Sequence, residues 1–172
     1  LLRPPLCVGG FSLSGCAVGD NSCFYTDSYD DNSIMTGKMY EDTFTFQQAA
    51  NGKVAVVPNL RFGCGMFNTG TFGSNESGVA GFGRGVLSLP SQLKVGRFSH
   101  CFTTIVESRP SPVFLGTPDN LEAQATGPIQ STQLVRNPKS NHYYLSLKGI
   151  TVGKTRLPFD ASAFALKGDG SG

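Results

Sequence analysis

The sequence predicts a mostly β protein. Its 172 residues include 22 glycines, 10 prolines and 13 phenylalanines, a composition that favours short strands and turns over helices. Apolar and polar residues alternate in several short runs, which is the period of a half-buried strand. The hydrophobic share of 39% is enough for a core, and the length suits one domain or parts of two.

The first strands are predicted in the N-terminal half of the chain. The alternating runs there are residues 43–46 and parts of 53–57 and 59–62. Asn51-Gly52 and Pro58-Asn59 stand between these runs and predict turns, because Gly and Asn enter the left-handed backbone region and Pro interrupts a ladder. A further hairpin is predicted from the run 143–152, since Gly153 can supply the positive φ of a tight connection to residues 155–157.

Helices are predicted to be few and short. Ser88 is placed to cap a segment with Pro90 in its first turn that ends near Leu93. Asp160 is placed in the same way before residues 161–166.

Three alternate glycines, Gly81, Gly83 and Gly85, have two interpretations. Such glycines either bring backbone amides close to a phosphate or allow chains to cross where no β-carbon fits. A dinucleotide loop opens a long helix and a Walker loop ends in Gly-Lys-Ser/Thr, and the sequence has neither feature. We therefore predict that residues 79–83 form a buried apolar strand past which another backbone runs closely.

The five cysteines predict disulfides, with buried reduced thiols as the alternative. They are Cys7, Cys16, Cys23, Cys64 and Cys101. Their intervals do not match the short pairs of a zinc site, and the two histidines lie far from the first three, so no metal is predicted. The pairing stays open. Asn75 opens an Asn-Glu-Ser sequon and is a candidate for glycosylation, which agrees with secretion.

Charge and hydropathy exclude two classes of partner. The formal net charge of +2 comes from basic residues that are scattered singly, so no phosphate-binding stripe is formed and nucleic acid is not expected. No apolar run approaches the roughly 20 residues of a membrane-spanning helix. The chain does not open with Met or a signal peptide, and we expect that the start of the gene product is absent from it.

Several consecutive motifs carry a family resemblance. They are FGCG at 62–65, SGVAGFGRG at 77–85, LSLPSQL at 87–93, FSHC at 98–101 and YYLSLKGITVG at 143–153. In this order they resemble the plant pepsin-like aspartic proteinases of the nepenthesin type, and also the related xylanase inhibitors. The resemblance covers nearly the whole chain from Cys23 onward.

The resemblance implies an all-β, bilobed pepsin-like fold. Residues 1–116 would form a partial N-terminal lobe with a cysteine-rich insert and a flap, 117–133 the connection between lobes, and 134–172 the start of the C-terminal lobe. The connection falls on a polar stretch rich in turn formers.

The resemblance also implies a reaction. In the family, one aspartate from each lobe, each in an Asp-Thr/Ser-Gly triplet, activates a water that attacks a peptide bond, with no cofactor. This chain contains neither triplet. We therefore expect an inactive fragment of an aspartic endopeptidase, cut between its two catalytic aspartates. The expected partner is a protein or peptide substrate, the full-length protein is expected to be a monomer, and its location to be secreted (apoplastic or extracellular) or vacuolar.

One functional element resembles a part of the family that the chain retains. Residues 23–33 are similar to the flap, the hairpin that closes over substrate, and the family's flap tyrosine maps onto Tyr29, with Asp30 and Ser33 beside it. Asp30 and Asn32 stand where the family has glycines, and both residue types can enter the left-handed region. The alternatives are that Tyr29 is an ordinary strand tyrosine, and that the protein is an inactive, inhibitor-like relative that binds a glycoside hydrolase.

Overall fold

An antiparallel four-stranded sheet dominates the computed structural model, which describes residues 13–16, 22–48, 52–71, 77–104, 106, 111–116, 123 and 125–165. Its strands lie side by side in chain order. They are β1 (Leu13–Cys16), β2 (Cys23–Ser28), β3 (Ile34–Gln47) and β4 (Val54–Asn68). Helix is almost absent from the described residues, so the predicted all-β fold class is confirmed.

The longest hairpin joins β3 to β4. It is closed by Gly52 at a φ of 65°, in a turn where the Gln48 amide donates to the Lys53 carbonyl. The turn predicted at Pro58-Asn59 was wrong, because both residues lie inside β4. Asn59 has a φ of 59°, and the register of the two strands shifts nearby, between Asp42 and Phe44. A bulge of this kind accommodates a proline that has no N–H for the ladder.

The buried apolar side chains of the described residues lie in β2 and β4. They are Cys23, Tyr25 and Leu60. The ring of Tyr25 lies against Gly63, where a β-carbon would stand 2.5 Å from two ring carbons. On the adjacent strands β3 and β4, Phe44 and Phe62 meet edge to face at 5.3 Å between ring centroids.

The glycine-rich segment differs from its prediction. Residues 79–83 form no strand, and no described strand pairs with them. Val79 is 72% exposed, and a β-carbon on Gly81 would meet no atom within 4 Å. The predicted buried strand was therefore wrong in the described chain, since a strand needs a ladder partner and this segment instead accepts a hydrogen bond from the Leu89 amide at Gly81.

The predicted short helix after this segment is confirmed. Helix α1 (Leu89–Gln92) is capped by Ser88, whose hydroxyl accepts from the Ser91 amide. Gln92 joins the helix to β4, because its side chain both accepts from the Arg61 amide and donates to the Arg61 carbonyl, at 2.8 and 2.9 Å. Two short strands follow, β5 (Phe98–His100) and β6 (Val113–Leu115), paired antiparallel.

The chain divides into two compact units, Leu1–Gly116 and Thr117–Gly172. Within its described residues, the second unit contains two strand pairs and a 3₁₀ helix. These elements are β7 (Leu134–Val135), β8 (Tyr144–Leu145), β9 (Thr151–Val152), β10 (Thr155–Arg156) and the 3₁₀ helix Ala161–Phe164. Gly153, at a φ of 61°, makes the predicted tight turn between β9 and β10. The predicted single strand over 143–152 was wrong, because β8 pairs with β7 and ends at Leu145, and β9 begins only at Thr151. Asp160 caps the 3₁₀ helix by accepting from the Ser162 amide, also as predicted.

Candidate functional site

The structure brings Tyr29, Asp30 and Ser33 together in the turn between β2 and β3. The Tyr29 amide donates to the Ser33 carbonyl at 3.0 Å, and the Asn32 amide donates to the Tyr29 carbonyl at 2.9 Å. These two hydrogen bonds enclose a three-residue loop, Asp30 to Asn32, of the kind that ends in a left-handed residue. The residues singled out from the sequence therefore occupy one hairpin tip.

Asn32 is the left-handed residue of this loop. Its φ is 64°, whereas Asp30 and Asp31 are not among the described residues with positive φ. The sequence suggested that both Asp30 and Asn32 would replace glycines by entering the left-handed region. Only Asn32 does so, because a three-residue hairpin loop places its last residue in the left-handed region.

Asp31 fastens the loop from within. Its Oδ1 accepts from the Ser33 hydroxyl at 2.6 Å and from the Ser33 amide at 2.9 Å. These hydrogen bonds stabilise the ionised carboxylate and so lower the pKa of Asp31 below its usual value. The sequence analysis did not assign this role to Asp31, although an aspartate two residues before a serine is the pattern of such a turn.

Tyr29 projects from the end of β2 and is 41% exposed. It shares one face of the hairpin with Tyr25 and Asp27, because alternate residues of a strand point the same way. Partial burial raises the pKa of the Tyr29 phenol, and the nearby charges of Asp27 and Asp31 raise it further. The phenol is thus a neutral hydrogen-bond donor, and it donates to the sulfur of Met35 at 3.3 Å.

On the opposite face of the hairpin, side chains of β2 and β3 contact each other. The hydroxyls of Thr26 and Thr36 lie 3.1 Å apart, and the Lys38 ammonium lies 5.2 Å from the centre of the Phe24 ring. At the end of the hairpin, Thr69 bonds Ile34 through both backbone and side chain. These contacts fix the strands that carry the tip.

The cysteine predictions have different outcomes. Cys64 and Cys101 are free and exposed, so the disulfides predicted for these two are not present in the structure. Cys23 is buried and disulfide-bonded, which confirms the prediction for this cysteine. Cys16 lies opposite Cys23 in the β1–β2 register. Cys7 and the predicted glycosylation site Asn75 lie outside the described residues.

The described residues contain no group of three metal-ligating side chains that lie together. None of the helices in that part of the chain has the length and apolar character to cross a membrane.

Comparison of the sequence with known proteins shows the family of this chain. The family described as "Xylanase inhibitor N-terminal" matches residues 3–117, which include the whole four-stranded sheet and its hairpin tip. Aspartic proteinase nepenthesin-1 of Nepenthes gracilis is 44% identical over 156 residues. The chain belongs to the plant pepsin-like aspartic proteinases. This confirms the resemblance inferred from the sequence motifs.

Other aspartic proteinases match over the same part of the chain. Aspartic proteinase nepenthesin-2 of Nepenthes gracilis is 40% identical over 153 residues, and Aspartyl protease family protein 2 of Arabidopsis thaliana is 34% identical over 165 residues. The three alignments cover 90%, 89% and 92% of this chain but only 34%, 33% and 32% of the relatives. The chain thus spans about a third of their length. No solved structure matches the chain significantly.

Proposed function

We propose that this chain is an interior part of an aspartic endopeptidase and that its hairpin tip is the flap of that enzyme. The observation that carries the proposal is the closed Tyr29–Ser33 turn, in a chain whose curated relatives are named aspartic proteinases. In this proposal the reaction is hydrolysis of a peptide bond by water between two aspartates that share one proton. The substrate is a protein or peptide.

This chain by itself is proposed to be inactive. It contains no Asp-Thr-Gly or Asp-Ser-Gly triplet, and a shared-proton pair needs two carboxylates. Flanking segments of the full-length protein would have to supply both. The chain would contribute the cover of the site, since a hairpin that closes over the substrate shields the reacting water from bulk solvent.

The geometry of the tip supports this role for Tyr29. The phenol is neutral and a donor, it stands at the end of a strand, and the loop beyond it is closed by two backbone and two side-chain hydrogen bonds. A rigid tip presents an aromatic side chain in one place and can still move as a unit about the two strands. This arrangement fits a cover more closely than an ordinary strand tyrosine.

We further propose that the full-length protein is a monomer that is secreted or vacuolar. Disulfides are proposed to form in that oxidising environment, and the register of β1 and β2 makes Cys16 and Cys23 the first pair to examine. Mass mapping without reductant checks this. Five free thiols would contradict it.

An inhibitor-like binding protein of the same fold is the second candidate. The matching family is named for xylanase inhibitors, and this tip carries Asp30 and Asn32 where glycines were expected. Its partner would be a glycoside hydrolase. Such a protein would bind a xylanase and would not cleave protein.

The test uses the full-length protein of this gene. The proposal expects cleavage of a denatured protein at acid pH, inhibited by pepstatin, with both aspartate triplets present in the flanking sequence. A protein with both triplets that shows no pepstatin-sensitive cleavage would refute it. Tight binding to a xylanase without cleavage would establish the second candidate instead.

A further inference from the structure

The hydrogen bond between Tyr29 and Met35 spans the hairpin diagonally. Asp27 lies opposite Met35 in the β2–β3 register, and the Tyr29 amide bonds Ser33, two residues before Met35. Diagonal neighbours on one face of an antiparallel pair are within reach of long side chains. The phenol therefore lies back along β3, with its hydroxyl 3.3 Å from the Met35 sulfur.

A thioether is an unusual partner for this phenol. Sulfur is a weak acceptor, and a tyrosine that is 41% exposed could donate to water instead. A methionine side chain is flexible and polarizable, so its sulfur can adapt to the position of a neighbouring phenol. The carboxylates nearby, Asp27 and Asp31, make no ion pair with a described basic side chain, and neither of them accepts the phenol proton in the structure.

We propose that Met35 is a positioning residue for Tyr29. Its sulfur accepts a hydrogen bond from the phenol hydroxyl and so holds the ring in one orientation on the hairpin. The biological value of this rests on the proposed flap role. A ring that is already oriented loses less conformational freedom when the hairpin closes over a peptide, so more of the binding energy is available for catalysis.

Simple packing is the competing explanation. In that case Met35 would only fill space beside the ring, and any side chain of similar size and apolar character would serve. The two explanations differ in whether residue 35 must offer a hydrogen-bond acceptor to the phenol. Met35→Leu keeps much of the apolar volume and removes the acceptor, whereas Met35→Gln keeps an acceptor at the end of an unbranched chain.

The experiment observes Tyr29 directly in the full-length protein, with tyrosines labelled at the ring carbon that bears the hydroxyl and Tyr29 assigned from the Tyr29→Phe spectrum. Met39→Leu, on the same strand, is the matched control. We expect the Tyr29 signal to move in Met35→Leu, to return most of the way in Met35→Gln, and to stay in place in Met39→Leu. Equal displacement in the Leu and Gln variants, or none in Met35→Leu, would overturn the proposal.

A reciprocal measurement covers the case in which a Met35 variant does not fold. Methionine methyl groups are labelled in the otherwise unchanged protein, and Tyr29→Phe removes a single hydroxyl. The Met35 methyl signal should shift and the Met39 methyl signal should not. An unshifted Met35 methyl signal in Tyr29→Phe would overturn the proposal, and this measurement needs no substitution of Met35.

Activity then separates this inference from the proposed function. We expect kcat/KM of Met35→Leu to fall about threefold, the scale of one weak hydrogen bond, with recovery in Met35→Gln. If the protein without substitutions has no peptidase activity but the variants show the expected spectral changes, the flap proposal is refuted and the hydrogen bond is established. Activity with none of the expected spectral changes would refute the role of Met35 and leave the peptidase proposal standing.

Discussion

Two tight hairpins among the described residues place different residue types in the left-handed backbone region. The β2–β3 tip places Asn32 in the left-handed region at a φ of 64°, and the β9–β10 turn places Gly153 there at 61°. Around Gly153 a β-carbon would meet nothing within 4 Å, whereas the first tip is fastened by Asp31 and Ser33. The difference teaches that glycine can take the left-handed position without help from its surroundings, whereas asparagine takes it in a loop that Asp31 and Ser33 also hold by side-chain hydrogen bonds.

The hairpins also differ at the strands behind the turn. A β-carbon on Gly37 would overlap the Cys64 carbonyl oxygen, at the point where the β3–β4 register shifts. Gly37→Ala is therefore expected to destabilise the protein by about 3 kcal/mol, because the neighbour is backbone and cannot move aside. Gly153→Ala is expected to cost about 1 kcal/mol, from its positive φ alone.

The free energy of unfolding of both variants is measured by urea unfolding of the full-length protein, followed by far-ultraviolet circular dichroism. Equal shifts of the midpoint would show that the close approach at Gly37 relaxes. The expected difference in stability between Gly37→Ala and Gly153→Ala would then be wrong.

The next effect concerns Asn32. Asn32→Ala is expected to destabilise the tip by about 1 kcal/mol, since alanine lacks the side chain that makes the left-handed conformation acceptable. Asn32→Gly should be tolerated, and Asp30→Gly should give no gain, because Asp30 is not at a positive φ. Amide exchange at Tyr29 and Asn32 measures the opening of the turn. Faster exchange in Asn32→Gly than in Asn32→Ala would contradict this account.

The smallest effect is a dependence on pH that the two units share. Asp160 accepts from Ser162 as Asp31 accepts from Ser33, and these hydrogen bonds lower both pKa values. A lowered pKa means that the stabilisation is fully present above the usual aspartate value of 3.8 and is lost as the pH falls through the lower folded value. Both turns should therefore stay closed at moderately acid pH and loosen together in stronger acid.

Amide exchange at Ser33 and Ser162 follows this loosening. Asp31→Asn should remove the dependence on pH at Ser33 and leave it unchanged at Ser162. A Ser33 amide that keeps the same profile in Asp31→Asn would contradict the assignment of the lowered pKa to this turn.

The sequence predicted the parts that local chemistry decides. The caps at Ser88 and Asp160 and the turn at Gly153 each follow from a few neighbouring residues. The tip residues Tyr29, Asp30 and Ser33 were identified instead from the resemblance to the family's flap. The sequence did not predict the partners that come from elsewhere. Residues 79–83 have an apolar pattern but no described strand beside them, and only the register of β2 and β3 brings Met35 to the Tyr29 hydroxyl.

The central claim, that Tyr29 belongs to a flap, is tested most directly by kcat/KM of the full-length protein on a denatured protein at acid pH. Tyr29→Ala is compared with Tyr143→Ala, a tyrosine of similar exposure, 44% against 41%, in the second unit. The account predicts a loss of about tenfold or more for Tyr29→Ala and little change for Tyr143→Ala, since only Tyr29 would cover the substrate. Equal activity of the two variants, with pepstatin-sensitive cleavage intact, would contradict it.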